Sequence, residues 1–385
     1  MFLDKINQEL DILKEKGNFR ELRDIDSILS KPGMVNLSSN DYLSLGSDEL
    51  LRREFLEYAL ENNLRLTSSS SRLLTGNTNE YIELENKLAS LYGSEKAIVF
   101  GSGFHANEGI LPAVSNEKTL ILADKLSHAS LIDGLRLSSA KNIRYRHNDY
   151  DQLNRLIAEN SSLYEKIIIV TESIFSMDGD EVDLERLVEI KKSYNNILIY
   201  LDEAHGVGVR GKNGLGCAEE KGVIKDIDFL IGTFGKALAS VGAYIICNNC
   251  VYEYLINKVR PFIFTTALPP INLAWSLFIM DRIASMDQRR ERLKKISQKM
   301  HSYIESASQP VISSSHIIPV MIGESSKACS IAEQLQKLGF WVMAVRPPTV
   351  SEGKARLRIS LCADMEEKQI DSLIRALKQL VPPYE

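Results

Sequence analysis

Between Ala97 and Cys247 six short apolar runs recur, AIVF, TLILA, KIIIVT, NILIYL, DFLIG and AYIIC. Runs of this length, rich in Ile and Val and without polar alternation, are the signature of strands buried on both faces. NEYIELENKLASLYG, YDQLNRLIAEN and DLERLVEIKKSYN instead repeat their apolar residues every three or four positions, the period of an amphipathic helix. Alternation of the two predicts an α/β fold whose mostly parallel central sheet is covered by helices on both faces. Such a sheet also sets where chemistry can happen, because ligands of open α/β sheets gather at the carboxyl ends of the strands.

A chain of 385 residues has room for more than this sheet. Residues 1–45 read as a helix, a linker and the extended piece NLSSNDYLSLG, and residues 46–275 as the large sheet domain. After Pro269-Pro270 come a long helical run, IIPVMIG, the helix SIAEQLQKLG, the strands FWVMAV and ARLRISL, and a last helix, which predict a smaller α+β domain over 276–385. The net charge of −5 offers no broad basic field for nucleic acid or an anionic membrane, so a small-molecule partner is expected. MFLDKINQELDILKEKG has acids and lysines at helical spacing instead of a basic start before an apolar run, so a cytoplasmic protein is expected. Cys247 and Cys250 form a CxxC with no second pair; no metal is expected there, and the segment reads as a strand end followed by the polar turn Asn248-Asn249.

TFGKALAS, residues 233–240, follows the strand DFLIG and places Lys236 among small residues. Packing does not need a lysine there, because an ammonium resists burial without a partner. In a partly desolvated pocket the amine loses proton affinity and can form a Schiff base with an aldehyde cofactor. Taken alone, Lys236 is a loop lysine; its company reverses that reading. NILIYLDEAHGVGVRG delivers Asp202 and Glu203 at a strand's carboxyl end, with His205 just beyond. A carboxylate beside a pyridine nitrogen keeps it protonated, the condition for the electron sink of pyridoxal 5′-phosphate, PLP. The same DExH string could belong to a helicase, but no GxxxxGK[ST] loop precedes it. In VFGSGFHANEG, Gly101 and Gly103 permit a turn into a helix whose first N–H groups can grip a phosphate, with the Thr233 hydroxyl as an additional donor. His128 in DKLSHASLIDG and Ser176 in TESIFSMDGD also follow strands, where an imidazole can lie on an aromatic cofactor and a hydroxyl can meet its phenolic oxygen. Arg346 and Arg358 in VRPPTVSEGKARLRIS offer planar forks for a carboxylate; one of the run's three arginines is expected to face a site and the others to be solvated. His105, His147, His301 and His316 are expected as surface or helix-capping residues.

The ordered set KINQEL, SSNDYL, GSGFHAN, DKLSHASL, ESIFSMDGD, DEAHGVG, TFGK, TTALPP, RPPTV and RLR spans nearly the whole chain and resembles the α-oxoamine synthase family of PLP enzymes. The resemblance implies the fold type I, aminotransferase-like architecture, a homodimer with active sites at the subunit boundary, and condensation of an amino acid with an acyl thioester. It implies Lys236 as the Schiff-base lysine, Asp202 as the partner of the pyridine nitrogen and His128 as the residue stacked on the ring. Ser176 and His205 match residues around the phenolic oxygen, and Gly103, Phe104 and Thr233 match phosphate or cofactor contacts. Thr266 of TTALPP matches a contact to the phosphate across the dimer. On the substrate side Arg358 matches the carboxylate arginine, Asn40 and Arg346 accompany it with His128, and Arg20 and Thr349 match positions associated with the acyl substrate. RPPTV resembles the branch of biotin synthesis that joins L-alanine to a pimeloyl thioester of coenzyme A or a carrier protein, more than the glycine or serine branches. The chain departs from the family at the serine-rich LRLTSSSSRLLTG, and at Tyr81 and Met365, where relatives often have histidine.

Overall fold

A computed structural model describes residues 2–381. They fall into two compact units: residues 43–175 with 181–290, and the residues up to Tyr42 with Ser176–Asp180 and everything from Glu291 onward. The first strand, β1 (Val35–Asn36), belongs to the smaller unit. The larger unit holds β2 (Lys96–Phe100), β3 (Thr119–Asp124), β4 (Lys141–Tyr145), β5 (Lys166–Glu172), β6 (Ile197–Asp202), β7 (Phe229–Thr233) and β8 (Ala243–Cys247). They form one seven-stranded sheet in the order β2-β8-β7-β6-β5-β3-β4, parallel except at β8, which runs antiparallel to both neighbours. Every residue of β3, β7 and β8 is buried, as continuous apolar runs require in a sheet covered on both faces. β4 had no such signal: in KNIRY only Tyr145 is buried, because the strand is an edge guarded by Lys141 and Arg144.

Register places the site. Ala243 pairs with both Phe100 and Thr233, so β2 and β7 finish side by side across β8. Glu172 pairs with Asp202, and Asp202 with Ile231, so β5, β6 and β7 finish at the same edge of the sheet. The helix Gly103–Ala113 leaves that edge from β2, its Ser102 hydroxyl accepting the His105 N–H at 3.1 Å as an N-cap. Gly109 lets this helix approach the next layer, since a Cβ there would lie 2.6 Å from Val259 Cγ1.

In the smaller unit β9 (Ile317–Gly323), β10 (Phe340–Trp341), β11 (Ala344–Val345) and β12 (Ala355–Ser360) follow. β12 is the centre of a three-stranded antiparallel sheet, between β11 and β9. The segment FWVMAV, read as one strand, is split between β10, paired in parallel with β1, and β11. The β1–β10 pair explains why the N-terminal residues belong with the C-terminal ones. Residues 276–290 lie in the larger unit instead: the Phe55 ring packs edge-on to Trp275 at 5.0 Å and to Phe278 at 5.7 Å, fastening the helix Pro270–Arg282 there. After β8 the chain does not simply turn. Asn248 caps a helix, Asn249–Lys258, with Cys250 exposed in its first turn and Cys247 buried, its thiol pushed up to about 12 by burial. Among the described residues no helix is long and apolar enough to cross a membrane.

Candidate active site

The loop after β7 is closed on itself. Phe234 N–H donates to Gly242 O at 3.0 Å, Ser240 N–H to Phe234 O at 2.9 Å and Ala239 N–H to Lys236 O at 2.9 Å. The Thr233 hydroxyl donates to Gly242 O at 3.0 Å and accepts from Gly235 N–H at 3.2 Å, so its proton is already committed and it is not the free donor expected. Small residues are required here, because a Cβ on Gly208 would come within 2.7 Å of Ala237 Cβ. Lys236 is thereby held on a rigid turn, its Nζ 2.8 Å from Nε2 of the buried His205.

Asp202, at the carboxyl end of β6, is buried and accepts from Asn107 Nδ2 at 2.7 Å and from Ala204 N–H at 2.8 Å. His128 caps the helix Ala129–Leu137, its Nδ1 accepting from Ser130 N–H at 3.3 Å, and its own N–H donates to Glu172 at 2.5 Å. Desolvation pulls the His128 pKa down, Asp202 opposes that pull and Lys236 reinforces it. Glu172 is held well above the usual carboxylate range by burial and by the neighbouring Asp202 charge. Sequence reading missed Glu172, Asn107, Ser130 and Tyr200; the only available signal was Asn107, inside the motif GSGFHAN.

Glu203 of DExH has a structural task. It is fully buried, and its Oε1 accepts Ala218 N–H at 2.7 Å. Burial pushes its carboxyl up to about 7, against the pull of nearby N–H groups. A raised carboxyl contributes stability that is complete below its unfolded pKa and lost as pH rises through the folded one. Glu203→Gln is therefore expected to flatten the fall in stability between about pH 4.5 and pH 7, by up to about 3 kcal/mol. Urea unfolding of both proteins across that window is the check; equal slopes would rule out a shifted proton at Glu203.

A second cluster lies within the smaller unit. Arg358 Nε donates to Ser176 O at 2.5 Å, Nη1 to Asn40 Oδ1 at 3.2 Å and Ser360 Oγ at 2.6 Å, and Nη2 to Tyr42 Oη at 3.3 Å. Burial lifts the Tyr42 phenol to about 12, so it remains a donor, to Asn40 Oδ1 at 3.0 Å. The other two arginines of the run are not solvated as expected. Arg356 is buried and paired with Asp178, and Arg346 donates to Phe19 O at 2.6 Å and also to Gly17 O. Arg20 Nη2 donates to Thr349 Oγ1 at 3.3 Å, whereas Thr266 and Phe104 are exposed in the larger unit. Nor are all the remaining histidines superficial. His316 is buried with its ring 3.9 Å from that of Tyr42, and His147 sits 2.9 Å from Asp124 Oδ1 and edge-on to Phe175. His301 Nε2 lies 2.8 Å from Ser315 O.

An amine beside an imidazole, a buried carboxylate at the neighbouring strand end and a capped helix start together suit a phosphorylated aldehyde with a basic ring nitrogen. Comparisons with known proteins point the same way. The sequence profile of the family described as Aminotransferase class I and II matches residues 32–377. A protein of Glaesserella parasuis serovar 5, whose name refers it to the 8-amino-7-oxononanoate synthases, is 50% identical over 381 residues, covering 97% of this chain and 100% of the relative. Among solved structures, an S. paucimobilis serine palmitoyltransferase with PLP and myriocin bound has a TM-score of 0.85 at 26% identity, over 98% of this chain and 96% of that one. The 8-amino-7-oxononanoate synthase of Francisella tularensis has a TM-score of 0.77 at 29% identity, over 90% of this chain and 97% of that one.

Proposed function

This chain belongs to the aminotransferase class I and II family, and on that premise we propose that it is a PLP-dependent acyltransferase joining L-alanine to a pimeloyl thioester, with release of carbon dioxide and the free thiol, to give 8-amino-7-oxononanoate for biotin synthesis. The observation that carries the reading is Lys236 Nζ set 2.8 Å from His205 Nε2, with the buried Asp202 carboxylate at the adjoining strand end. When bound, PLP supplies an aldehyde for the amine and a protonated ring that takes up the electron pair released at Cα.

Asp202 holds the ring nitrogen's proton by charge, and Asn107 and Ala204 keep that carboxylate in place. Lys236, once its amine is free, removes the Cα proton of alanine and later returns one, and His205 positions Nζ for it. His128 covers the ring and donates to the oxygen that gains charge when the thioester carbonyl is attacked. N–H groups at Gly103 and Phe104 would receive the phosphate, with Thr233 beside them, and His205 would meet the phenolic oxygen. Arg358, with Asn40, takes the alanine carboxylate; Arg346 keeps the segment that presents Arg20 and Thr349 to the acyl chain. The protein works as a homodimer, Thr266 serving the partner's phosphate.

A serine- or glycine-using acyltransferase is the second reading, favoured by the likeness to serine palmitoyltransferase. One set of absorbance spectra tests both. The purified protein with PLP is expected to show a bound-cofactor band that alanine perturbs more than serine or glycine, with thiol released only on addition of pimeloyl-CoA or the pimeloyl carrier. A stronger response to serine or glycine selects the second reading, and no bound-cofactor band rejects both.

A further inference from the structure

Asn107 sits on the helix Gly103–Ala113 at 1% exposure, 95 residues from Asp202 in sequence. Its amide touches three side chains: Tyr200 Oη lies 2.8 Å from Oδ1, and Nδ2 lies 2.7 Å from Asp202 Oδ2 and 3.0 Å from Ser130 Oγ. Chemistry decides which way round the amide stands. The Asp202 carboxylate already accepts Ala204 N–H at Oδ1, so it stands as an acceptor and the NH2 end of Asn107 faces its Oδ2. Tyr200, buried and kept a phenol, then donates to Oδ1. The second N–H of Asn107 occupies a lone pair of Ser130 Oγ, which leaves the Ser130 hydroxyl hydrogen to point at His128 Nδ1, 2.8 Å away. The backbone N–H of Ser130 reaches the same nitrogen at 3.3 Å, and a backbone N–H can only donate. Nδ1 therefore accepts from two sides, and the ring proton sits on Nε2. Gly134 lets its helix lie close to the Asn107 backbone, where a Cβ would be 2.6 Å from the main-chain carbonyl oxygen.

We infer that Asn107 is a positioning residue whose single amide fixes Asp202 as an acceptor and, through Ser130, fixes His128 as the tautomer protonated on Nε2. The catalytic meaning rests on the proposed function; the position of the proton does not. Two groups on different strand ends are thus set by one side chain, and Nε2–H is the donor available to a reacting oxygen.

Nitrogen NMR of the full chain as purified, with heavy-nitrogen-labelled histidine and His128→Gln to assign the signal, tests it. The wild-type ring is expected to show an N–H type Nε2 and an unprotonated Nδ1. In Asn107→Asp the new carboxylate accepts from the Ser130 hydroxyl, Ser130 Oγ turns a lone pair toward the ring, and Nδ1 gains a proton. Ser130→Ala, which removes only the relay, is expected to lower the Nε2–H population and keeps the test available should the first variant not fold. In turnover, Asn107→Asp is expected to lower kcat about 10²-fold with little change in KM for alanine. A wild-type ring protonated on Nδ1, or an unchanged pattern in the folded variants, overturns the inference. Absence of a cofactor band with the tautomer change intact would reject the PLP reading and leave this one standing.

Discussion

Lys236→Ala is expected to eliminate turnover and to leave no cofactor that borohydride can fix to the protein, while the fold is retained. Lys236 is half-buried on a self-bonded turn, its Nζ 2.8 Å from His205 Nε2, and the turn's own backbone hydrogen bonds do not depend on its side chain. What is lost is the amine that anchors the aldehyde and moves the Cα proton; loss of a proton-transfer group alone costs roughly 10²–10⁴-fold. The checks are steady-state rates with alanine and pimeloyl-CoA, mass spectrometry after borohydride, and circular dichroism. Normal turnover in this variant would end the proposed function.

Glu85→Ala is expected to be the most destabilising single change, by about 3–5 kcal/mol, a large share of a typical total of about 5–15 kcal/mol. Arg72 and Glu85 are both 8% exposed and form a two-pronged pair, Nη1 to Oε1 at 2.6 Å and Nη2 to Oε2 at 3.0 Å. Oε1 also accepts Val99 N–H at 2.7 Å. Truncation leaves a buried guanidinium without its counter-charge and a buried N–H without an acceptor, and each pays the desolvation penalty in full. The double change Arg72→Met with Glu85→Leu is expected to cost far less, because no charge then needs hydration. Urea unfolding of the three proteins tests this; equal losses in single and double variants would contradict it. The pair also bears on the departure at Tyr81 seen in sequence. The serine-rich stretch ends in Arg72, whose guanidinium lies 3.9 Å over the Tyr81 ring, and the Tyr81 hydroxyl accepts Leu268 N–H at 2.7 Å. An aromatic face and a long-reaching oxygen give Tyr81 work that a shorter side chain would not do.

Much of the site was legible in one dimension. Asp202 ends, and Lys236, His205 and His128 follow, a strand that its apolar run betrays, and parallel strands bring their carboxyl ends to one edge. Where reading failed, the signal was polar or split. β4 is an edge strand without an apolar run, FWVMAV serves two sheets, and the Asn248-Asn249 pair looked like a turn while its first member was a helix cap. Met365 is buried and its sulfur accepts Cys362 N–H at 3.5 Å, so its place in the chain is a packing one.

By itself, then, the sequence determined the sheet, the order of its helices and the residues offered at the strand ends, because burial period and turn chemistry are local properties of neighbouring residues. Only the tertiary structure decided that Asn107 joins Tyr200, Asp202 and Ser130, that Arg72 is sealed by Glu85, and that Arg358 is caged by Asn40, Tyr42 and Ser360. Those partners are brought together by strand register and by glycines such as Gly134 that let helices close, and a hydrogen bond spanning 95 residues has no period that a one-dimensional reading could detect.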